Sequence, residues 1–161
     1  PSAAFGMSEE LGRRMEARMG SRGTAIAGIG GTLIANALAV RAMRATLEQV
    51  ATDANYAWMI ALATQLEKDI QALIGRHGLP WYVTRLGCRV EYRFQPVRPR
   101  NGDEAAGGAD AALDRLLHLR FLNRGLLMTP MHNMLLVCPA TSEADVALHG
   151  RCLEELLSDL R

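Results

Sequence analysis

The sequence predicts an α+β fold, in which a small and mostly antiparallel sheet is covered by helices. Two patterns carry this prediction. Apolar residues recur at helical spacing from about 53 to 76, and His77-Gly78 ends the periodic run. From 88 to 95, apolar and charged residues alternate instead, which is typical of a strand with one face in the core.

The first third of the chain predicts a short strand, a helix, a loop and a second helix. Ser2–Met7 is a short apolar run, and Ser8 is a suitable N-cap for a helix that ends near Gly20. A glycine-rich loop over 20–31 leads to a helix over 33–51, and Thr32, the residue after the glycines, opens that helix. That helix is apolar on two sides, so we expect it to be buried on two sides, at a domain or subunit junction.

The remaining elements alternate between helices and short strands. In chain order, we expect a mobile surface loop over 97–109, a helix capped by Asp110, two strands over Leu126–Thr129 and Met134–Cys138, and a last helix. Ser142 and Asp145 have the spacing of a capping box at the start of that helix. The core-facing positions of these two helices are predicted to be Leu113, Leu116, Leu117, Phe121, Val146, His149, Leu153, Leu156, Leu157 and Leu160.

Composition limits the possible partners. The chain has 161 residues, 49% of them apolar, and a net charge of +1, so no global field favours nucleic acid or an anionic membrane. The uncharged stretch 23–40 approaches the length of a membrane span, but four glycines and Asn36 interrupt it, and we predict no membrane segment. Three cysteines without paired spacing indicate reduced thiols and a cytoplasmic location.

Few residues have the surroundings that chemistry needs. His149 and Cys152 share one helix face, but without a second ligand pair we expect a packed core histidine and no metal site. Cys138 falls in an apolar strand and is expected to be inert. The segment Gly31-Thr32 is the most distinctive, because amides at a helix start, a glycine and a hydroxyl suit a phosphate. A plain turn with Thr32 as N-cap is the alternative.

Five segments resemble motifs of class III pyridoxal-phosphate (PLP) aminotransferases, on the branch of glutamate-1-semialdehyde aminomutases and bacterial β-amino acid aminotransferases. Pro1–Gly6 with Glu9–Met15 is similar to "PxGAxGG…EIM", and Gly31–Ala39 is similar to "GTLxxNPLAxAA". Arg44–Glu48 resembles "ATLE", Asn123–Leu127 resembles "xRGV" and Thr141–Val146 resembles "HTEEDI", the last two being common in other fold-type-I enzymes as well. Ala37 replaces the usual proline, and the general carboxylate-binding arginine has no match in Leu135–Pro139, as in the aminomutases.

The resemblance implies a fold-type-I enzyme of which this chain is the C-terminal portion. Residues 1–31 would end the large PLP-binding domain, 32–52 would form an interface helix, and 53–161 would form the small C-terminal domain. It also implies a homodimer with shared active sites, in which Gly31 and Thr32 contact the phosphate of PLP held by the neighbouring subunit.

Substrate and reaction stay open at this point. The turn over 129–133 is expected to approach the substrate, with Thr129, His132 and Asn133 as pocket residues. The resemblance implies amino-group transfer between an amino acid, such as a β-amino or aromatic one, and a keto acid. An aminomutase and a non-catalytic dimerisation module are the alternatives. Lys68 is flanked by acids on an amphipathic helix, so we predict that this segment alone, lacking the Schiff-base lysine, is inactive.

Overall fold

A computed structural model describes residues 5–20, 36–129 and 133–160. The chain divides into two compact units, Pro1–Thr52 and Asp53–Arg161. Within the described residues, no helix is both long and apolar enough to cross a membrane.

The first unit contains α1, Glu9–Gly20, and α2, Ala37–Ala45, which continues as a π-helical turn over Thr46–Val50. The predicted cap of α1 is confirmed, because the Ser8 hydroxyl accepts a hydrogen bond from the Leu11 amide at 3.2 Å. The predicted strand over Ser2–Met7 is wrong for the residues that are described, since Phe5–Met7 has no strand structure and is exposed.

The predicted start of the second helix is also wrong. Asn36 is the N-cap of α2, and its side-chain oxygen accepts from the Ala39 amide at 2.9 Å. An asparagine at this position satisfies the free amides of the first turn as well as a threonine does. α2 thus begins four residues after the predicted position, and Thr32 itself lies outside the described residues. The side chains of Leu38 and Leu47, expected to be buried, are 80% and 60% exposed in this chain.

The second unit holds the sheet and most of the core. Its elements are α3, Asp53–His77; β1, Tyr82–Leu86; β2, Arg89–Arg93; α4, Gly102–Gly107; α5, Ala111–Leu122; β3, Met134–Leu136; and α6, Glu143–Asp159. The three strands form one antiparallel sheet in the order β1-β2-β3. The Ser142–Asp145 capping box at the start of α6 is confirmed. The predicted α+β architecture is confirmed as well.

The core lies between the sheet and helices α3, α5 and α6. Val90 and Tyr92 on the central strand are fully buried, as the alternation predicts. Glu91, expected to face solvent, is only 9% exposed, because Arg89 and Arg93 on the same strand both form ion pairs with its carboxylate.

Three further predictions fail. The mobile loop predicted over 97–109 contains α4, which begins because the Asn101 side chain caps the Glu104 amide at 2.9 Å. Leu126–Thr129 forms no strand: the Leu126 amide donates to the Phe121 carbonyl at the end of α5, and Met128 packs into the core. Leu116 of α5 and Leu160 at the end of α6 were predicted to face the core, but they are 42% and 53% exposed. Helical spacing therefore assigned one residue too many to the core in each case.

Candidate functional site

The residues predicted to bind the cofactor, Gly31 and Thr32, lie outside the described residues, and so does His132. Their roles stay predictions. Two of the predicted pocket residues, Thr129 and Asn133, are described, and they differ in their surroundings.

Thr129 lines a cavity of about 510 Å³ in the second unit. Its walls come from α3, the segment after α5, β3 and α6, and they include Leu66, Leu126, Met128, Leu135 and Val146. Thr141, Asp145 and His149 also line it. The volume falls within the usual range for small-molecule pockets, and the walls are mainly apolar with a few polar groups. The cavity therefore has the size and the mainly apolar lining of a small-molecule pocket.

Asn133 is occupied by contacts within the fold. Its side chain is 3% exposed, and its Nδ2 donates to Oδ1 of Asp114 at 3.1 Å. Its carbonyl oxygen accepts from the Tyr92 amide at 3.3 Å. Asn133 thus connects the start of β3 to both α5 and β2. Asp114 was not singled out by the sequence, because an acid in the first turn of a helix is ordinary there.

His149 is the most strongly perturbed titratable group of the cavity wall. It lies edge-on to two rings, with its centroid 5.3 Å from Phe121 and 6.0 Å from Tyr92. Burial lowers the pKa of His149 from 6.5 to about 4, so the ring is neutral at pH 7. Neither ring nitrogen has a hydrogen-bond partner among the described residues. The prediction of a packed core histidine is confirmed, and no group of metal-binding side chains occurs in the described part of the chain.

Cys138 differs from the prediction. It lies after β3 and is exposed, so it is not buried in an apolar strand. The Thr141 hydroxyl donates to Cys138 Sγ at 3.4 Å and lowers the pKa of that thiol. Burial raises the pKa of the Cys152 thiol instead. The apolar run Met134–Val137 before Cys138 led to the prediction of an inert thiol in a strand.

Lys68, the single lysine of the chain, is exposed on α3 as predicted. A Schiff-base lysine is held in a site that excludes water, so Lys68 does not fit that role. The described residues therefore offer no covalent anchor for an aldehyde cofactor.

In the comparison with known proteins, the matches are solved structures. No protein-family model matches the chain, and no curated protein sequence does either. A glutamate-1-semialdehyde-aminomutase from Pseudomonas aeruginosa, solved in complex with PMP, is 46% identical over 97% of this chain, with a TM-score of 0.91. The resemblance to this enzyme group is confirmed. The chain spans 35% of the length of that enzyme, and the match lies in its C-terminal part.

More distant structures share the fold. A β-phenylalanine aminotransferase from Variovorax paradoxus is 22% identical over 62% of this chain and 23% of its own, with a TM-score of 0.54. An omega-transaminase from Sphaerobacter thermophilus is 20% identical over 83% of this chain and 30% of its own, with a TM-score of 0.62. At these identities the similarity concerns the fold alone.

Proposed function

We propose that the chain is the C-terminal part of a class III, PLP-dependent enzyme that moves an amino group between carbon atoms. The observation that carries the proposal is the 46% identity to the aminomutase over 97% of the chain. The small sheet, its covering helices and the exposed Lys68 agree with a segment that supports an active site whose lysine lies elsewhere in the polypeptide.

Two reactions remain, and the identity favours one of them. An aminomutase returns the amino group to the carbon skeleton from which it came. An aminotransferase gives it to a separate keto acid, and this was the leading prediction from the sequence. The 46% match is to an aminomutase, whereas the aminotransferases match at 22% or less and support only the fold. We therefore place a 2,1-aminomutase acting on glutamate-1-semialdehyde first.

The residues of this chain would contact PLP and the substrate, but none of them would form the covalent bond to PLP. PLP provides an aldehyde that carries the amino group, and its lysine would come from outside the chain. Gly31 and Thr32 remain the proposed contacts to the phosphate, through a backbone amide and a hydroxyl. The cavity beside Thr129 would receive either an uncharged part of the substrate or an uncharged side chain from another part of the active site.

The proposed assembly is a cytoplasmic homodimer with shared active sites. Four apolar residues of α2 and the π-helical turn that follows it are exposed, Leu38, Val40, Leu47 and Val50, and this supports a partner surface on that segment, because several exposed apolar residues on one element are typical of an interaction site.

The test uses the complete polypeptide that contains this chain, loaded with PLP. With glutamate-1-semialdehyde, an aminomutase forms the isomeric amino ketone at the same rate whether or not a keto acid is added. An aminotransferase forms product from an amino acid only when a keto acid is present. If neither reaction occurs and PLP gives no protein-bound absorbance band, a non-catalytic dimerisation module is the better explanation.

The isolated 161-residue chain should show neither activity nor that absorbance band. Activity in this chain that is lost in Lys68→Ala would overturn the assignment of Lys68 to the surface.

A further inference from the structure

We propose that the cavity beside Thr129 is a docking site for an apolar side chain from another part of the same polypeptide, outside these 161 residues. This inference rests on the proposed function, in which the chain is the C-terminal part of a longer enzyme. The occupant of the cavity is then a side chain of the enzyme itself and not a part of the substrate.

The first observation is that two leucines on the cavity wall are exposed. Leu127 and Leu136 both line the cavity, yet they are 80% and 65% exposed. Single exposed leucines are ordinary, but two of them on the wall of one apolar cavity form a patch of the kind that marks a contact site. A segment that covers the cavity would remove both side chains from water.

The second observation is that the cavity includes an edge of the sheet. All three residues of β3, Met134–Leu136, line it, and β3 is the last strand in the order β1-β2-β3. In the described part of the chain, no strand lies on the side of β3 that faces away from β2. Proteins usually cover such an edge with another element, because its free backbone groups otherwise attract other chains.

The third observation is that the wall does not suit a charged substrate. Burial holds the pKa of His149 at about 4, so this wall opposes a charge. Asp145 on the same wall already accepts hydrogen bonds from the amide and the hydroxyl of Ser142, each at 2.8 Å. Among the described residues, no lysine or arginine lines the cavity to pair with a carboxylate. Glutamate-1-semialdehyde carries a carboxylate and an amino group, and burying them here without partners would be costly.

The fourth observation concerns the source of the occupant. The chain spans 35% of the length of the aminomutase to which it is 46% identical, so most of such a polypeptide lies outside these residues. A second copy of the chain has a separate proposed surface, on α2 and the π-helical turn of the first unit. The cavity belongs to the second unit. The rest of the same polypeptide is therefore the occupant that the observations favour.

The test places the photoreactive residue p-benzoylphenylalanine at position 127 of the complete, PLP-loaded polypeptide. After irradiation, we expect a cross-link to a peptide from outside the 161 residues, and the product should keep the mass of a single polypeptide on a denaturing gel. An excess of glutamate-1-semialdehyde should leave the yield unchanged. The same photoreactive residue at Gln71, an exposed position of α3 that does not line the cavity, is the matched control and should not give this cross-link.

Thermal unfolding of the same polypeptide gives a second readout. Leu127→Asp places an unpaired carboxylate under the docked segment, and we expect it to lower the Tm by about 5 °C or more. Gln71→Asp stays in solvent and should change the Tm by less than about 2 °C.

Each other outcome contradicts the inference. A product with the mass of two polypeptides makes a second copy the occupant, and a cross-link within the 161 residues makes this chain its own occupant. A yield that falls with glutamate-1-semialdehyde places the substrate in the cavity. No cross-link, together with an unchanged Tm in Leu127→Asp, means that the cavity stays open to water.

Two further arrangements keep the test decisive. If the variant at position 127 does not fold, the photoreactive residue at Leu136, the other exposed leucine of the wall, decides between the same outcomes. A polypeptide that folds but has no aminomutase activity contradicts the proposed function alone, because the cross-link does not depend on catalysis.

Discussion

Acidification should destabilise the second unit through His149. The folded state holds the imidazole neutral, with a pKa of about 4, whereas an unfolded histidine has a pKa near 6.5. Between these two values the unfolded chain binds more protons than the folded chain, so the free energy of unfolding falls as the pH falls. This contribution is fully present above pH 6.5 and is lost progressively down to pH 4.

The magnitude follows from the difference between the two pKa values. A gap of about 2.5 pH units at 1.36 kcal/mol per unit gives about 3 kcal/mol between pH 7 and pH 4. That is a large part of the 5–15 kcal/mol that keeps a typical domain folded. The origin is burial alone, because the ring nitrogens have no acceptor or donor among the described residues that would offset the cost of a charge.

Urea unfolding of the 161-residue chain, followed by circular dichroism at pH 7, 5.5 and 4, measures the effect. Other groups titrate in the same range, so the useful quantity is the difference between the wild type and His149→Leu. We expect this difference to change by about 3 kcal/mol between pH 7 and pH 4, because the wild type loses stability at low pH and the leucine variant lacks this loss. Leu153→Ala, a cavity-forming change at a fully buried position four residues along α6, is the control and should cost the same 2–5 kcal/mol at each pH. Identical pH dependence in the wild type and His149→Leu would refute the reasoning.

Three smaller predictions concern single local features. Ser142→Ala removes the side-chain cap of α6 and should lower the free energy of unfolding by about 1 kcal/mol in urea; no loss would mean that the capping box does not stabilise the helix. Gly78 has a φ of +62° and open space where a Cβ would lie, so Gly78→Ala should cost about 1–2 kcal/mol from the backbone alone, and a neutral result would exclude the left-handed conformation. At pH 7, iodoacetamide should alkylate Cys138 faster than Cys152, as followed by mass spectrometry. Thr141→Val should slow the reaction of Cys138. Equal rates in the wild type and this variant would show that the hydroxyl does not activate the thiol.

Local signals predicted the parts of the fold that local physics determines. The Ser142–Asp145 capping box, the Asp110 cap and the long helix α3 were all predicted from the sequence, because each depends on residues within one or two turns. The strand β2 was predicted from its alternation, since Val90 and Tyr92 face the core as a period of two requires.

The failures occurred where competing partners decide the structure. Leu126–Thr129 has the composition of a strand, but its Leu126 amide bonds to the Phe121 carbonyl and Met128 packs into the core, while β3 pairs with β2. The buried state of Glu91 depends on Arg89 and Arg93, and the alternation pattern contains no information on ion pairing. Asn101 is a good cap with Glu104 three residues later, so this signal for α4 was present in the sequence but was outweighed by the neighbouring glycines.

The sequence predicted some features of the candidate site and missed others for the same reason. The resemblance identified an enzyme group that the aminomutase structure supports, and the spacing of α6 placed His149 in the core. The contact between Asn133 and Asp114 joins positions nineteen residues apart across two elements. No local pattern encodes such a contact.

A crystal structure of the complete polypeptide with PMP bound tests the central claim most directly. The account predicts that the Thr32 hydroxyl and the Gly31 amide lie about 3 Å from phosphate oxygens of the cofactor held by the neighbouring subunit. A cofactor phosphate far from Thr32 in both subunits, or a polypeptide that binds no PMP, would contradict it.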